Sequence, residues 1–124
     1  MGALLHNLPR IISDPFGNYV VQFAYEFLGE SNCLGITDLL VQQFAEYAGR
    51  KYSGNVLFKC IETFWNSQGT IEKLNTVLSG EAILKLFVCK EGNKVLLALV
   101  ERWEGTALQL KISSQLILVE PSRF

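Results

Sequence analysis

Histidine is all but missing from this sequence: His6 stands alone near one end, with no serine or cysteine nucleophile suggested as its partner. There is no His-Glu-x-x-His run, no glycine-rich phosphate loop before a helix and no cluster of metal ligands, and Asp and Glu are scattered as on solvated helix faces. Catalysis, a metal and a cofactor are therefore not expected. Cysteine is scarce too. Cys33, Cys60 and Cys89 are odd in number and widely spaced, which fits neither a disulfide framework nor a zinc pattern. They read as small buried hydrophobes in a reducing, cytoplasmic setting, with the nucleolus as the other compartment considered. Also missing is an excess of basic charge, with 11 Lys and Arg against 12 Asp and Glu. A protein that grips phosphates indiscriminately normally carries such an excess, so tight non-specific nucleic-acid binding is disfavoured, while readout through base edges and stacking is not. No apolar run is long enough to span a bilayer, and the opening Met1-Gly2-Ala3-Leu4-Leu5 is too short and too poor in basic residues for a secretory signal, so no membrane partner is expected.

What is present is helical periodicity in a chain that is 49% hydrophobic, enough for one continuous core. A helix is predicted over 37–48, opening at Thr37 or Asp38 and burying Leu40, Val41, Phe44, Ala45 and Ala48, with Gly49 ending it. The segment Arg50 to Gly54 reads as a polar turn, and Asn55 to Phe64 as a second helix with Val56, Leu57, Cys60, Ile61 and Phe64 on one face. The pair recurs on both sides. Leu8 to Ile12 forms a short helix that tolerates Pro9 in its first turn, Asp14-Pro15-Phe16-Gly17 a turn, and Asn18 to Leu28 a helix with Val20, Val21, Ala24 and Phe27 inward. Further on, Ile71 to Phe87 is helical with a break at Ser79-Gly80, Glu91-Gly92 a turn, and Asn93 to Trp103 a helix. Ala107 to Val119 reads as a helix closing the stack, with a strand as the alternative because of Ile117-Leu118-Val119. Gly17-Asn18, Gly54-Asn55 and Gly92-Asn93 recur at intervals of 37 (55 − 18) and 38 (93 − 55) residues. Helix pairs at such a period signal an all-α solenoid. The expected organisation is one domain, 1–124, with repeats at about 1–30, 31–69 and 70–104 and a C-terminal cap at 105–124.

The stretch Asp14-Pro15-Phe16-Gly17-Asn18-Tyr19-Val20-Val21-Gln22 resembles the core of a Pumilio-type (PUF) repeat, whose RNA-facing helix opens with Asn-Tyr-x-x-Gln. Lys51-Tyr52-Ser53-Gly54-Asn55-Val56-Leu57-Phe58-Lys59-Cys60-Ile61 is similar to a second such motif. Lys90-Glu91-Gly92-Asn93-Lys94-Val95-Leu96-Leu97 is similar mainly in phase. The resemblance implies a right-handed α-solenoid of about three repeats plus a capping helix, with single-stranded RNA along its concave face, each repeat meeting about one base. It also implies a role in post-transcriptional regulation of mRNA. Asn18 and Gln22 lie one helical turn apart and would read a base edge, uracil by the resemblance, while Tyr19 would stack on bases. The second repeat offers Gly54, Asn55 and Phe58 at these places and the third Asn93, Lys94 and Leu97, so the code is intact only in the first. Two other readings follow from these departures: a protein-binding solenoid, for which Phe58, Leu97 and exposed Trp65 and Trp103 would suit a groove, and a divergent relative in ribosome biogenesis that grips RNA without base readout. Clustering of Arg10, Arg50, Lys51, Lys59, Lys90 and Lys94 on the face of Asn18 and Gln22 would favour RNA. The first repeat begins only a few residues before its helix, so its outer face is expected to be bare, as in a piece of a longer repeat protein, and self-association through that face would follow.

Overall fold

The computed structural model describes residues 2–117, and among these every regular element is helical. The elements are α1 (Gly2–Ile12), α2 (Gly17–Leu28), α3 (Leu34–Gln42), α4 (Phe44–Ala48), α5 (Lys51–Lys59, continued by a π-helical turn Cys60–Phe64), α6 (Gln68–Val77), α7 (Gly80–Val88), α8 (Lys90–Arg102) and α9 (Ala107–Ile117), with a 3-10 turn at Glu30–Asn32. They stack as an all-α solenoid. The helices α2, α5 and α8 pack side by side in one layer, α4 on α7 in a second, and α3, α6 and α9 in a third. A single apolar core runs through the stack from Leu8 and Ile12 in α1 to Leu108 and Ile112 in α9. The last helix is thus helical as far as Ile117; Leu118 and Val119 lie outside the described residues.

Several local expectations change. The helix predicted over 37–48 starts earlier, at Leu34, and is divided at Gln43, whose backbone (φ −108°, ψ 23°) leaves the helical region. The break turns Phe44, Tyr47 and Ala48 into the core and leaves Ala45 exposed. Thr37 does not cap. Its hydroxyl is buried inside α3, donating to the Cys33 carbonyl and meeting the Tyr25 hydroxyl. The polar run 50–54 is already helix from Lys51, after an extended Arg50 (φ −114°, ψ 152°), and Glu91-Gly92 likewise belongs to the first turn of α8. Trp65 and Trp103 are buried rather than exposed, whereas Val20 and Phe27, expected inside, are exposed.

The repeat register also differs from the Gly-Asn spacing. The helix-opening bonds Asn18 N–H to the Asp14 carbonyl, Gly54 to Arg50 and Asn93 to Cys89 are equivalent, and they stand 36 (54 − 18) and 39 (93 − 54) residues apart. The equivalent of Gly17 and Gly92 is therefore Ser53, not Gly54. All three crowd the same carbonyl: a Cβ at Gly17 would collide with the Ile11 oxygen and one at Gly92 would lie 2.6 Å from that of Leu86. Ser53 instead donates its hydroxyl to Tyr47, the equivalent carbonyl, at 2.7 Å. A π turn also sets α5 apart from α8. Trp65 N–H bonds five residues back to Cys60, while Trp103 N–H bonds four back to Leu99, so α5 absorbs one extra residue before its buried tryptophan.

Repeats are also tied by polar contacts. Tyr25, buried in α2, meets Thr37 at 2.5 Å and accepts from Trp65 Nε1 at 3.2 Å, and its ring stacks on Phe64. The Glu30 carboxylate accepts from the backbone N–H of Asn66 and of Ser67 and from the Thr70 hydroxyl at the start of α6, where an anion also suits the helix dipole. One repeat on, Arg102 donates to Asn66 Oδ1.

Candidate nucleic-acid interface

The layer α2–α5–α8 brings three equivalent trios into one row: Asn18, Tyr19 and Gln22; Gly54, Asn55 and Phe58; Asn93, Lys94 and Leu97. Each trio lies within the first turns of its helix, after a tightly held turn. In the first, the Asp14 carboxylate accepts from the backbone N–H of Gly17 at 2.7 Å and of Phe16 at 2.8 Å, and these bonds lower its pKa.

The three members of the first trio are not equally available. Tyr19 is 62% exposed, an unobstructed aromatic surface. Asn18 is only 2% exposed, and its Nδ2 donates to the carbonyls of Asp14 and Pro15 at 2.9 and 2.8 Å. Its amide therefore braces the turn, which differs from the expected role as an equal reader of a base edge. Half-buried Gln22 donates to Asn18 Oδ1 at 3.3 Å and keeps its Oε1 and one amide proton at the surface. The helix-phase argument placed Asn18 and Gln22 on one side correctly but could not show that the turn carbonyls claim the asparagine.

The second and third trios carry different chemistry. Gly54 is buried, with Ala48 O 3.3 Å from where a Cβ would be, so it is a packing position with nothing to offer a ligand. Asn93 donates to the Phe87 carbonyl at 2.9 Å, again bracing its turn. Asn55 and Phe58 are half-buried and Lys94 and Leu97 exposed. Lys94 Nζ sits 4.5 Å from the centre of the Phe58 ring, joining neighbouring repeats by a cation–π contact. Beside it, Phe87, Asn93, Lys94 and Leu97 help line a shallow cavity of about 400 Å³.

Correct register exposes two rows that the sequence alone did not. Lys51 and Lys90 are equivalent and lie one turn before Asn55 and Lys94, on the same side of their helices. Glu26, Glu62 and Glu101 are equivalent too, at intervals of 36 (62 − 26) and 39 (101 − 62), one turn beyond Gln22, Phe58 and Leu97, and all three are exposed. The face thus grades from basic at the helix starts to acidic further along. Of the other cations considered, Arg50 pairs with Glu46 at 2.8 Å, Arg10 lies on α1 and Lys59 falls off the row. Among the described residues no group of His, Cys, Asp and Glu is arranged to hold a metal ion, and no helix is long and apolar enough to cross a membrane.

No protein-family model matches this chain, and no curated protein sequence does. Solved structures do. One is a Puf4 double mutant bound to the Cox17 RNA 3′ UTR recognition sequence, with a TM-score of 0.77 and 26% identity over 93% of this chain. Another is PUF-8 in complex with PBE-RNA, with a TM-score of 0.50 and 19% identity, also over 93% of this chain. This chain spans 40% and 44% of the length of those two.

Proposed function

We propose that this chain, which has the Pumilio-like repeat fold, binds single-stranded RNA along the row presented by α2, α5 and α8. The observation that carries the reading is the exposed Tyr19 beside Gln22, at the head of a row whose equivalents in the next two helices face the same way. Bases stack on Tyr19, and Gln22, a donor and acceptor together, meets the edge of one of them, uridine by analogy with the Asn-Tyr-x-x-Gln pattern. Asn18 acts by holding the turn and Gln22. Further along, Asn55, Lys94 and the apolar Phe58 and Leu97 accept bases by shape and stacking with little choice among them. The acidic row of Glu26, Glu62 and Glu101 repels phosphates, so the RNA backbone runs along the side of Lys51 and Lys90. The setting that fits this activity is cytoplasmic mRNA, with any effect on translation or decay exerted through partners.

The test is fluorescence anisotropy with short labelled RNAs, uridine-rich against adenosine-only. Uridine-rich RNA is expected to bind more tightly. Tyr19→Ala removes a stacking contact of about 1–3 kcal/mol, a loss of roughly 5- to 150-fold in affinity for both RNAs. Gln22→Ala narrows the preference between them. No binding at high micromolar protein, or binding indifferent to Tyr19, would sink the reading.

A further inference from the structure

The last turns of α2, α5 and α8 hold carboxylates where helix stability does not favour them. Glu26 stands two residues from the end of α2, Glu62 two from the end of the π turn that closes α5, and Glu101 one from the end of α8. An anion there opposes the helix dipole. All three are exposed, and among the described residues none forms an ion pair, unlike Glu46, Asp38 and Glu81, which bind Arg50, Lys73 and Lys85. That charge acts on whatever occupies the row they border. Lys51 and Glu62, and Lys90 and Glu101, are eleven residues apart (62 − 51 and 101 − 90), close to three whole turns. Each pair therefore lies on one helix face, about 16 Å apart, with Asn55 and Phe58 or Lys94 and Leu97 between. That is about two Debye lengths at physiological salt, so the cationic and anionic rims act separately on a ligand.

We propose that this acidic rim makes the face selective for unpaired RNA by repelling the second phosphate backbone of a duplex; the inference rests on the RNA-binding reading above. A single strand with its phosphates beside Lys51 and Lys90 brings only its bases to Gln22, Phe58 and Leu97, and the glutamates meet no phosphate. A duplex carries a second backbone across the base pairs. With one backbone on the lysine rim, the other comes over the glutamate rim. At about 6 Å in water, one carboxylate–phosphate approach weakens binding roughly threefold. Three of them, screened by salt but each facing more than one phosphate, weaken it on the order of tenfold. Glu26, Glu62 and Glu101 are thus specificity-determining residues that touch no base.

The test is fluorescence anisotropy with one labelled uridine-rich RNA, free and annealed to its complement. The wild-type chain is expected to bind the free strand about tenfold more tightly, or better. Glu26→Gln, Glu62→Gln and Glu101→Gln combined, which keep the size of each side chain, should raise duplex affinity about tenfold and free-strand affinity less than about threefold. Glu72→Gln combined with Glu81→Gln, exposed on α6 and α7, should leave the ratio of the two affinities unchanged. Duplex bound by the wild type as tightly as the free strand overturns the inference, and so does a triple variant that rejects duplex to the same degree as the wild type. Both results leave the RNA-binding reading standing. A wild type that binds neither form overturns the reading and the inference together.

Discussion

Replacing Tyr25 by phenylalanine isolates the polar joint between the first two repeats. The ring stays in place, stacked on Phe64 with centroids 5.4 Å apart, so no cavity is made. What disappears is one hydroxyl. Thr37 keeps its bond to the Cys33 carbonyl, but Trp65 Nε1, buried in the core, loses its acceptor. An orphaned buried donor costs about 1–3 kcal/mol, so the variant is expected to be destabilised by roughly 2 kcal/mol. At about 4 °C per kcal/mol for a domain of this size, the melting temperature falls by about 8 °C. The assay is urea and thermal unfolding followed by circular dichroism and by the fluorescence of the two tryptophans, both buried. The same residue predicts alkaline behaviour. Burial pushes the Tyr25 phenol well above its ordinary value of about 10. Below that pH both states keep the proton and the stabilisation is complete. Above it the unfolded chain releases the proton while the native state retains it, so stability falls with rising pH, by up to about 1.4 kcal/mol per unit for this group. Burial raises the Cys60 and Cys33 thiols as well, which starts the decline near their ordinary range. Tyr25→Phe should remove its own share of the slope above pH about 10, leaving the shares of the buried thiols and of Tyr47, whose phenol burial also raises. A Tyr25→Phe protein within 0.5 kcal/mol of wild type, or with an unchanged alkaline slope, would refute this account of the joint.

Three further outcomes are expected. Glu30→Ala removes the acceptor shared by Asn66, Ser67 and Thr70 and should cost about 1–3 kcal/mol by urea denaturation, although Glu30 is only half-buried. Gly92→Ala puts a methyl 2.6 Å from the Leu86 carbonyl oxygen and should destabilise by about 2 kcal/mol or more. Gly69→Ala, whose Cβ would meet Ser67 Oγ at an ordinary 3.9 Å, should instead stabilise α6 by about 0.5–1 kcal/mol; equal effects of the two substitutions would mean that the helix starts are not closely packed. Lys94→Gln breaks the contact with Phe58 and should lower the salt dependence of RNA binding by about one counterion, and an unchanged salt slope would place Lys94 away from phosphate.

Much of the architecture is legible in the residues. Apolar spacing marks the helix faces, and Asp14-Pro15-Phe16-Gly17 and Ser79-Gly80 mark breaks, because these effects act within a turn or two of helix. The repetition is legible for the same reason, and the core in α5 follows from Val56, Leu57, Cys60 and Ile61. Tertiary structure decided what depends on neighbours. It set the register at 36 and 39 residues, since equivalence is fixed by the backbone bonds that open each helix and not by the Gly-Asn pairs. It buried Trp65 and Trp103 and left Phe27 bare, because which side of a helix is covered depends on whether another helix lies there. It also divided the expected reading residues. The carbonyls of Asp14 and Pro15 hold Asn18, and the close approach of Ala48 confines Gly54, while Tyr19 and Gln22 remain at the surface. Residue type and spacing specify what a side chain can bond; only the packed turn determines which of those bonds are already made within the protein.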